Sequence, residues 1–394
     1  MIELKNKKKC CGCGACEQVC PKHCISMQYD KEGFLYPVCD FTSCINCGLC
    51  EKVCQYSNVN VQTRTPQEQY YFIHDNNDTR RKSSSGGIFI CLAEEVIKNK
   101  GVVFGASFDS DFNVELSYAE SLDDCWKFVG SKYVQAKVGN AYKFVKKFLQ
   151  ENRQVLFAGT PCQINGLQHY LGKDYDNLLK LDFTCHAIPS PVIWSKYIKA
   201  IKGKYRIQSV NFRDKEIAGW RNYGITIIGD RDGISKVLVS SGNRQNLYMK
   251  GFIRFLYDRP SCSNCASREF KSTSDIMIGD FWGVEKYHSE PLFNDNKGVS
   301  IAMAVSEKGI EYLNRIRSYG QMGQIPVEEL EMDKSHDCIV KSAPQHPNRK
   351  MFFFLYQIGL PLRFCIWFCL NLNWARYVGF ICRRLKKMIG VFKV

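Results

Sequence analysis

Two cysteine runs of identical spacing near the start of the chain constrain its fold more than any other feature. The first is Cys10-x2-Cys13-x2-Cys16-x3-Cys20, followed by Pro21, and the second is Cys44-x2-Cys47-x2-Cys50-x3-Cys54. This is the spacing of bacterial ferredoxins with two [4Fe-4S] clusters, in which the fourth cysteine of each run ligates the other cluster. The runs therefore predict two ligand sets, Cys10, Cys13, Cys16 and Cys54 for one cluster and Cys44, Cys47, Cys50 and Cys20 for the other.

Zinc is the alternative interpretation of these cysteines. Zinc sites usually combine Cys-x2-Cys elements into four ligands in total, whereas this segment holds two complete runs of four. Iron-sulfur clusters are therefore favoured. Cys11, Cys24 and Cys39 fall outside the spacing, and we expect them to be packed free thiols.

Composition excludes several classes of protein. With 394 residues, 45% of them hydrophobic, the chain is predicted to be globular. Its 21 cysteines, and a basic start without an apolar run, predict a reducing, cytoplasmic location without a secretory signal. The net charge of +15 is concentrated in residues 345–394, which hold nine Lys or Arg and no acid. No nucleic-acid-binding motif accompanies this charge, so we expect no nucleic-acid partner.

Strands and helices alternate after the cysteine runs, which predicts an α/β body. The predicted fold is an α+β ferredoxin-like two-cluster domain, followed by an α/β body, to which the family resemblance given below assigns flavin and cluster binding, and a helical C-terminal tail. The predicted boundaries are 1–58 for the ferredoxin domain, 66–145 and 146–330 for two domains of the body, and 346–394 for the basic aromatic tail.

Two glycine-containing turns of the body each precede a predicted helix. Ser83-Ser-Ser-Gly-Gly87 suits a phosphate or another anion, because backbone N–H groups and the helix dipole point at such a turn. The alternative is an ordinary serine N-cap with flexible glycines. Gly159-Thr-Pro-Cys-Gln163 follows a predicted buried strand, which is the layout of a ligand crevice at the carboxyl edge of a sheet.

Four cysteines of the body lie at predicted turns or strand ends: Cys162, Cys185, Cys262 and Cys265. Together they could close a third [4Fe-4S] centre. Alternatively, Cys162 and Cys185 are simply buried, and the Cys262-x2-Cys265 pair suits zinc, a redox dithiol or a cluster equally well.

Six segments of the chain resemble the beta-subunit family of coenzyme F420 hydrogenases and dehydrogenases. They are Ser83–Gly87, Gly130-Ser-Lys-Tyr-Val-Gln135, Gly159–Gln163, Cys185-His186 with Pro189-Ser190, Phe212-Arg-Asp-Lys215 with Gly219-Trp220, and Arg259-Pro-Ser-Cys-x2-Cys265 with Ser274-Asp-Ile and Gly279-Asp-Phe-Trp-Gly283. Relatives in that family include 7-hydroxymethyl chlorophyll a reductase and members associated with bacterial polysaccharide synthesis.

The resemblance implies FAD beside an additional [4Fe-4S] cluster. By position it assigns the four body cysteines to that cluster, and it implies flavin contacts at Ser85, Gly86, Gly87, Lys132, Gly159 and Thr160. Lys132 would offer a cation to the pyrophosphate. Trp282 is expected near the flavin ring or, alternatively, in the core. His186 is a candidate proton donor, with a structural role as the alternative.

Two positions depart from the family pattern. Ala187 stands where the family often has Gly, which would narrow the pocket or change nothing. The second cysteine run is followed by Gln55 rather than Pro, and there we expect only a local change in the loop.

The predicted function is an electron conduit. FAD would exchange a hydride with an F420-like deazaflavin or an organic substrate, and the clusters would connect it to a redox partner protein. Two alternatives stand beside it: an electron-transfer subunit whose partner performs the substrate chemistry, and a polysaccharide-synthesis scaffold with decayed redox function, against which the complete cysteine runs argue. In the tail, Arg383, Arg384, Lys386 and Lys387 beside aromatic segments predict peripheral contact with an anionic membrane surface, and packing on the body is the alternative.

Overall fold

The computed structural model describes residues 3–57, 63–326 and 337–372. The strands are β1 (Ile25–Tyr29), β2 (Leu35–Cys39), β3 (Glu68–His74), β4 (Val102–Phe108), β5 (Val114–Ala119), β6 (Val155–Gly159), β7 (Leu178–Phe183), β8 (Arg206–Asp214), β9 (Gly224–Arg231), β10 (Ile234–Gly242), β11 (Ile276–Asp280), β12 (Ser300–Ala304) and β13 (Gly320–Gln324). The helices are α1 (Ala15–Val19), α2 (Leu49–Lys52), α3 (Asn77–Lys82), α4 (Ile88–Lys98), α5 (Leu122–Cys125), α6 (Ala141–Gln150), α7 (Pro161–Leu171), α8 (Pro191–Lys202), α9 (Leu247–Ile253), α10 (Pro291–Asn294), α11 (Glu307–Arg315), α12 (Asp337–Val340), α13 (Arg349–Gln357) and α14 (Leu362–Asn371). Short 3-10 helices cover Lys7–Lys9, Trp126–Phe128, Pro260–Asn264, Val284–Lys286 and Ile316–Tyr319.

The N-terminal segment forms a small α+β module. Strands β1 and β2 pair as an antiparallel hairpin in which Ile25 faces Cys39. Each cysteine run turns into a short helix after a glycine in the left-handed region, Gly14 (φ 70°) before α1 and Gly48 (φ 75°) before α2. A side chain at either position would be strained. The predicted ferredoxin-like architecture is confirmed.

The body is built on one eight-stranded mixed sheet. Its strand order is β13-β3-β12-β11-β7-β6-β4-β5. The four central strands β11, β7, β6 and β4 run parallel, and the outer strands are antiparallel. Strand β6 reads as a continuous apolar run because it is covered on both faces, and Val155, Leu156 and Phe157 are fully buried. Strands of the two predicted body segments, 66–145 and 146–330, share this sheet and form one structural unit.

A second core joins three parts of the chain. The antiparallel sheet β10-β9-β8 packs Ile225 and Ile227 into it. The ferredoxin hairpin contributes Phe34, and the tail contributes Phe352 and Cys365. Burial of apolar surface therefore holds the ferredoxin module, the body and the tail together.

The predicted tail is helical and, over its described part, packed on the body. Helices α13 and α14 bury Phe352, Cys365 and Cys369 completely, while Phe354 and Trp367 are exposed. The basic residues from Arg383 onward lie outside the described residues, so the expected membrane contact stays a prediction. Within the described ranges, no helix combines the length and the hydropathy that a membrane span requires.

An ion pair links the tail to the tip of the ferredoxin hairpin. The Arg349 guanidinium donates to both carboxylate oxygens of Glu32, over 2.6 and 3.0 Å, and its Nε donates to the carbonyl of Asp258 over 3.0 Å. The Ser190 hydroxyl at the start of α8 donates to the Glu32 carbonyl over 2.7 Å. The Arg349 side chain is 6% exposed and that of Glu32 21%, so this pair is largely shielded from water.

We predict that Arg349→Ala lowers the apparent Tm by about 6 °C. Removing one partner of a largely buried pair costs about 3 kcal/mol, and about 2 °C is lost per kcal/mol in a domain of this size. Thermal unfolding followed by circular dichroism under anaerobic conditions measures the change. Lys350→Ala removes a neighbouring exposed cation as the control and should leave the Tm unchanged. Equal Tm values for both variants would contradict this account of docking.

Candidate functional site

The first predicted ligand set lies around one cavity. Cys10, Cys13, Cys16 and Cys54 line it together with Cys11. Burial raises the pKa of Cys16, and the neighbouring thiols of Cys13, Cys10 and Cys54 raise it further. The fourth cysteine of the second run is thus placed with the first run, which is the crossover that we predicted.

The second predicted set lines a separate cavity, formed by Cys20, Cys44, Cys47 and Cys50 with two further thiols, Cys24 and Cys39. Each cavity thus offers at least four sulfurs, the donor set that a [4Fe-4S] cluster requires. Cys47 is exposed and Cys16 buried. The second set therefore places one predicted ligand, Cys47, in contact with solvent, while Cys20 and Cys50 are buried.

The four body cysteines also converge, although they come from three segments of the chain. Cys162 lies in the first turn of α7, Cys185 follows β7, and Cys262 and Cys265 lie at the 3-10 helix 260–264. Burial raises the pKa of Cys262, and the neighbouring thiols of Cys185, Cys265 and Cys162 raise it further. A desolvated group of thiols favours a bound metal centre, because the metal offsets the cost of forming thiolates.

A thiol that we had expected to be merely packed joins the first ferredoxin set to the body set. The thiols of Cys13 and Cys162 neighbour Cys11 and, together with burial, raise its pKa well above the usual range. In turn, the neighbouring Cys11 thiol lowers the pKa of Cys13 to about 7 and also lowers that of Cys162. Cys11 therefore contacts one predicted ligand of each cluster.

Gln55 reinforces this junction between the two sets. Its side-chain amide donates to Cys11 Sγ over 3.1 Å and to the Cys162 carbonyl over 2.9 Å, and the residue is 2% exposed. Proline at this position would supply neither bond. Gln55, which stands in place of proline, therefore connects Cys11 to Cys162 and does more than change the local loop, which was all that we had expected.

Arg259 clamps the first cysteine loop onto the body. Its guanidinium, in a residue 1% exposed, donates to the carbonyls of Cys10 (2.8 Å) and Leu35 (2.9 Å) and to the Gln135 side chain (3.0 Å). A Cβ on Gly12 would lie 2.8 Å from the guanidinium, so only glycine fits there.

The serine- and glycine-rich turn is held by bonds within the protein. Ser85 Oγ donates to the Val299 carbonyl over 2.6 Å, and the Gly86 N–H donates to Ser300 Oγ over 2.8 Å. These predicted flavin donors are therefore occupied internally. Gly87 (φ 99°) is the N-cap of α4, with no side-chain cap on the helix. The N-terminus of α4 remains suited to an anion, but through its backbone rather than through Ser85.

Two cations that the sequence analysis missed hold the same turn. Arg213 donates to the Ser84 carbonyl over 2.8 Å, and Lys215 donates to the Ser85 carbonyl over 2.8 Å. Both belong to a segment that resembles the family, Phe212–Lys215, for which no role was predicted. The presence of two basic residues in a segment that resembles the family was the signal from which a role could have been predicted.

Lys132 is a desolvated cation beside this turn. Its ammonium donates only to the backbone carbonyls of Phe128, Val129 and Gly130, over 3.1 to 3.3 Å. Burial lowers its pKa to about 7. Within the described part of the chain no carboxylate lies within 4 Å of it. Such a cation is stabilised by an anion, as a pyrophosphate site requires.

Gly159 and Thr160, which were predicted to contact the flavin, form the turn that precedes Cys162. Thr160 caps α7 in a reciprocal pair with Gln163, whose side-chain oxygen accepts the Thr160 N–H over 3.0 Å. Thr160 Oγ1 lies 3.2 Å from Cys162 Sγ. The capped turn thus positions Cys162, and its polar groups are used within the protein.

The two remaining predicted residues lie among aromatic rings. Trp282 stacks on Trp220 with centroids 4.7 Å apart and planes 9° apart. His186 stacks on Phe255 at 4.2 Å, and its Nε2 lies 3.2 Å from the Ile253 carbonyl. Burial lowers the pKa of His186 to about 4, so its imidazole is neutral at pH 7. The contacts of His186 fit a structural role and do not support its predicted role as a proton donor.

Three groups of converging thiols are typical of an iron-sulfur electron-transfer protein. Residues 9–58 match the 4Fe-4S dicluster domain, and residues 152–330 match the family described as the C terminus of the coenzyme F420 hydrogenase/dehydrogenase beta subunit. Both matches agree with the resemblance that the sequence motifs indicated. A search of curated proteins gave no significant match. Among solved structures, a chain of the F420-reducing [NiFe] hydrogenase complex from Methanosarcina barkeri aligns over 76% of this chain and 95% of that chain, with 14% identity and a TM-score of 0.44.

We predict that anaerobically reconstituted protein holds about twelve irons and twelve sulfides, as three four-iron clusters require. Cys262→Ala should lower the content to about eight, because it removes one ligand of the body set and spares the ferredoxin cavities. Iron and sulfide analysis measures both values. Cys91→Ala is the control, since Cys91 is a buried thiol of α4 outside the three sets. A wild-type content near eight that Cys262→Ala does not change would exclude the third cluster.

Proposed function

We propose that the chain is an iron-sulfur flavoprotein oxidoreductase that passes electrons between a hydride donor or acceptor and a redox partner protein. The small molecule is an F420-like deazaflavin or an organic substrate, and it reacts at FAD. The observation that carries the proposal is the junction at Cys11 and Gln55, which joins the body thiols to the ferredoxin thiols. A scaffold without redox function would have no need of that contact.

The order of the thiol groups supports a defined route for electrons. The body set contacts the first ferredoxin set through Cys11, and the crossover of Cys20 and Cys54 ties the first set to the second. The second set includes the exposed Cys47. A partner protein would therefore dock at the second cavity, at the end of the route opposite the body.

FAD would supply the step between hydride and single-electron chemistry, since it exchanges hydrides as electron pairs and passes electrons on singly. The residues that would hold it surround the turn at Ser83–Gly87. Lys132 and the N-terminus of α4 would face its pyrophosphate. Arg213 and Lys215 hold the turn through its backbone carbonyls. The Trp220–Trp282 stack would flank the ring system, and Arg213 lies 5.5 Å from the Trp282 ring.

We predict that the reconstituted protein binds FAD non-covalently and that its affinity falls as the pH rises above 7. The pKa of Lys132 is about 7 without the anion, and a bound pyrophosphate would raise it. Only the protonated lysine attracts the anion, so the Kd should rise up to tenfold per pH unit from about pH 7 until the pKa of the complex is passed. Equilibrium dialysis between pH 6 and 9 measures the Kd.

Three variants serve as comparisons for this measurement. Lys132→Ala should bind FAD weakly at every pH, and Lys132→Arg should bind it without the decline above pH 7. Lys137→Ala removes an exposed lysine of the same segment and should behave like the wild type. A pH-dependent affinity in Lys132→Ala equal to that of the wild type would remove Lys132 from the flavin site.

The second candidate function is an electron-transfer subunit whose partner performs the substrate chemistry, for example in polysaccharide synthesis. The internal use of Ser85, Gly86 and Thr160 favours it, because these predicted flavin contacts have other partners. Anaerobic mixing with reduced donors separates the two functions. Bleaching of bound flavin supports the oxidoreductase, whereas a cluster-loaded protein that binds no flavin is the electron-transfer subunit.

A further inference from the structure

Helices α13 and α14 expose large apolar side chains to water. At α13 and its end, Phe354 and Ile358 are each 58% exposed, and on α14 Phe364 is 43% and Trp367 55% exposed. Residues three or four positions apart share one face of a helix, and the rings of Phe364 and Trp367 lie 6.4 Å apart. We call these four residues the outer face. Exposed apolar side chains that are grouped in this way mark an interaction site, whereas single ones do not.

The inner sides of the same two helices hold the outer face in a fixed position. Phe352 and Cys365 are completely buried in the second core. The Asn348 side-chain amide donates to the carbonyls of Cys369 over 2.7 Å and Leu372 over 2.9 Å, which ties the start of α13 to the end of α14. Because the outer face is already ordered, its contacts with a partner carry little cost in conformational entropy.

The two helices and the sequence around them carry cations and no acids. Lys350 and Arg363 are exposed, and residues 338–394 contain no Asp or Glu. Residues 373–394 add six Lys or Arg. A second copy of the chain would bring like charges together at the outer face, which disfavours self-association. An anionic lipid surface suits both features, because aromatic side chains enter its interfacial layer and cations bind its headgroups.

We propose that the outer face of α13 and α14 is a binding surface for an anionic lipid membrane. The chain would lie on the membrane with the outer face in the interfacial layer and with Lys350 and Arg363 against the headgroups. The sequence placed the membrane contact at the basic residues from Arg383 onward, whereas this proposal assigns it to a surface of the described chain. It is independent of the flavin and of the route of electrons.

Binding in this way would bring the ferredoxin hairpin close to the membrane. The Gln357 side-chain amide donates to the Lys31 carbonyl over 3.3 Å, and Arg349 pairs with Glu32 at the hairpin tip. Helix α13 thus lies between the hairpin tip and the second core. A redox partner attached to the same membrane would meet the ferredoxin module at a raised effective concentration.

The test is anaerobic co-flotation of the cluster-loaded full chain with vesicles of phosphatidylglycerol and phosphatidylcholine at low ionic strength. Phe354→Ser/Trp367→Ser should lower the partition coefficient about tenfold or more, because both side chains leave water when the chain binds. Vesicles of phosphatidylcholine alone should bind the wild type more weakly, since they lack the anionic headgroups.

Ile234→Ser/Val237→Ser is the matched control. These two apolar residues of β10 are 71% and 55% exposed, and they lie outside the two helices. The control variant should float like the wild type. An equal Tm of all three proteins, measured by circular dichroism, reports correct folding.

Two outcomes would overturn the proposal. The first is equal flotation of the wild type and Phe354→Ser/Trp367→Ser, which would leave the basic residues from Arg383 onward as the membrane contact. The second is a wild type that does not float with anionic vesicles. Analytical ultracentrifugation then decides whether the outer face joins two copies, because a dimer that Phe354→Ser/Trp367→Ser abolishes would assign the face to a second copy of the chain.

Discussion

The structure depends most on the buried guanidinium of Arg259. It holds the first cysteine loop against the body through the carbonyls of Cys10 and Leu35, and its Nη2 lies 3.6 Å from Cys10 Sγ. Cys262 follows in the same turn and donates its N–H to the Arg259 carbonyl over 3.0 Å. Among the described residues, no carboxylate lies within 4 Å of this arginine. A buried cation without a carboxylate costs several kcal/mol, and thiolates that hold clusters on either side would offset that cost.

Cluster loading and domain docking are therefore coupled through one side chain. The close approach of the two modules also requires space, which two glycines provide. A Cβ on Gly12 would meet Arg259 at 2.8 Å, and a Cβ on Gly166 of α7 would meet the Cys13 Cβ at 2.7 Å. The same approach brings Cys11 to Cys162, so the contact that assembles the fold is also the contact through which we propose that electrons pass.

The ferredoxin architecture could be predicted from the sequence because each cluster is encoded locally. Three cysteines within seven residues leave little conformational choice, and the placement of Cys20 and Cys54 in opposite cavities follows the known crossover. The convergence of Cys162 with Cys262 was less accessible, since it depends on how β6, β7 and the 3-10 turn at Pro260 meet in three dimensions. For these cysteines, the family resemblance supplied the assignment to one cluster, which their spacing alone left open.

Other features could not be predicted for a physical reason. The type of a residue does not show which group it will hydrogen-bond or pack against in the folded chain. Ser85 and Gly86 looked like free phosphate donors, yet β12 and the residue before it take both donors. His186 looked titratable, but burial lowers its pKa to about 4 and keeps the imidazole neutral at pH 7. Cys11 and Gln55 looked incidental because their importance arises only when α7 packs against the first cysteine run. Likewise, no local signal shows that strands on both sides of position 145 enter one sheet.

The most direct test of the central claim is a stopped-flow comparison of the wild type with Cys162→Ala, loaded with FAD and clusters and mixed with a reduced hydride donor. Flavin and cluster absorbance are followed separately. The account predicts that flavin bleaches in both proteins and that the ferredoxin clusters bleach only in the wild type, because the variant lacks the body cluster beside Cys11. Cluster bleaching at the wild-type rate in Cys162→Ala would show that electrons reach the ferredoxin module by another route and would contradict the account.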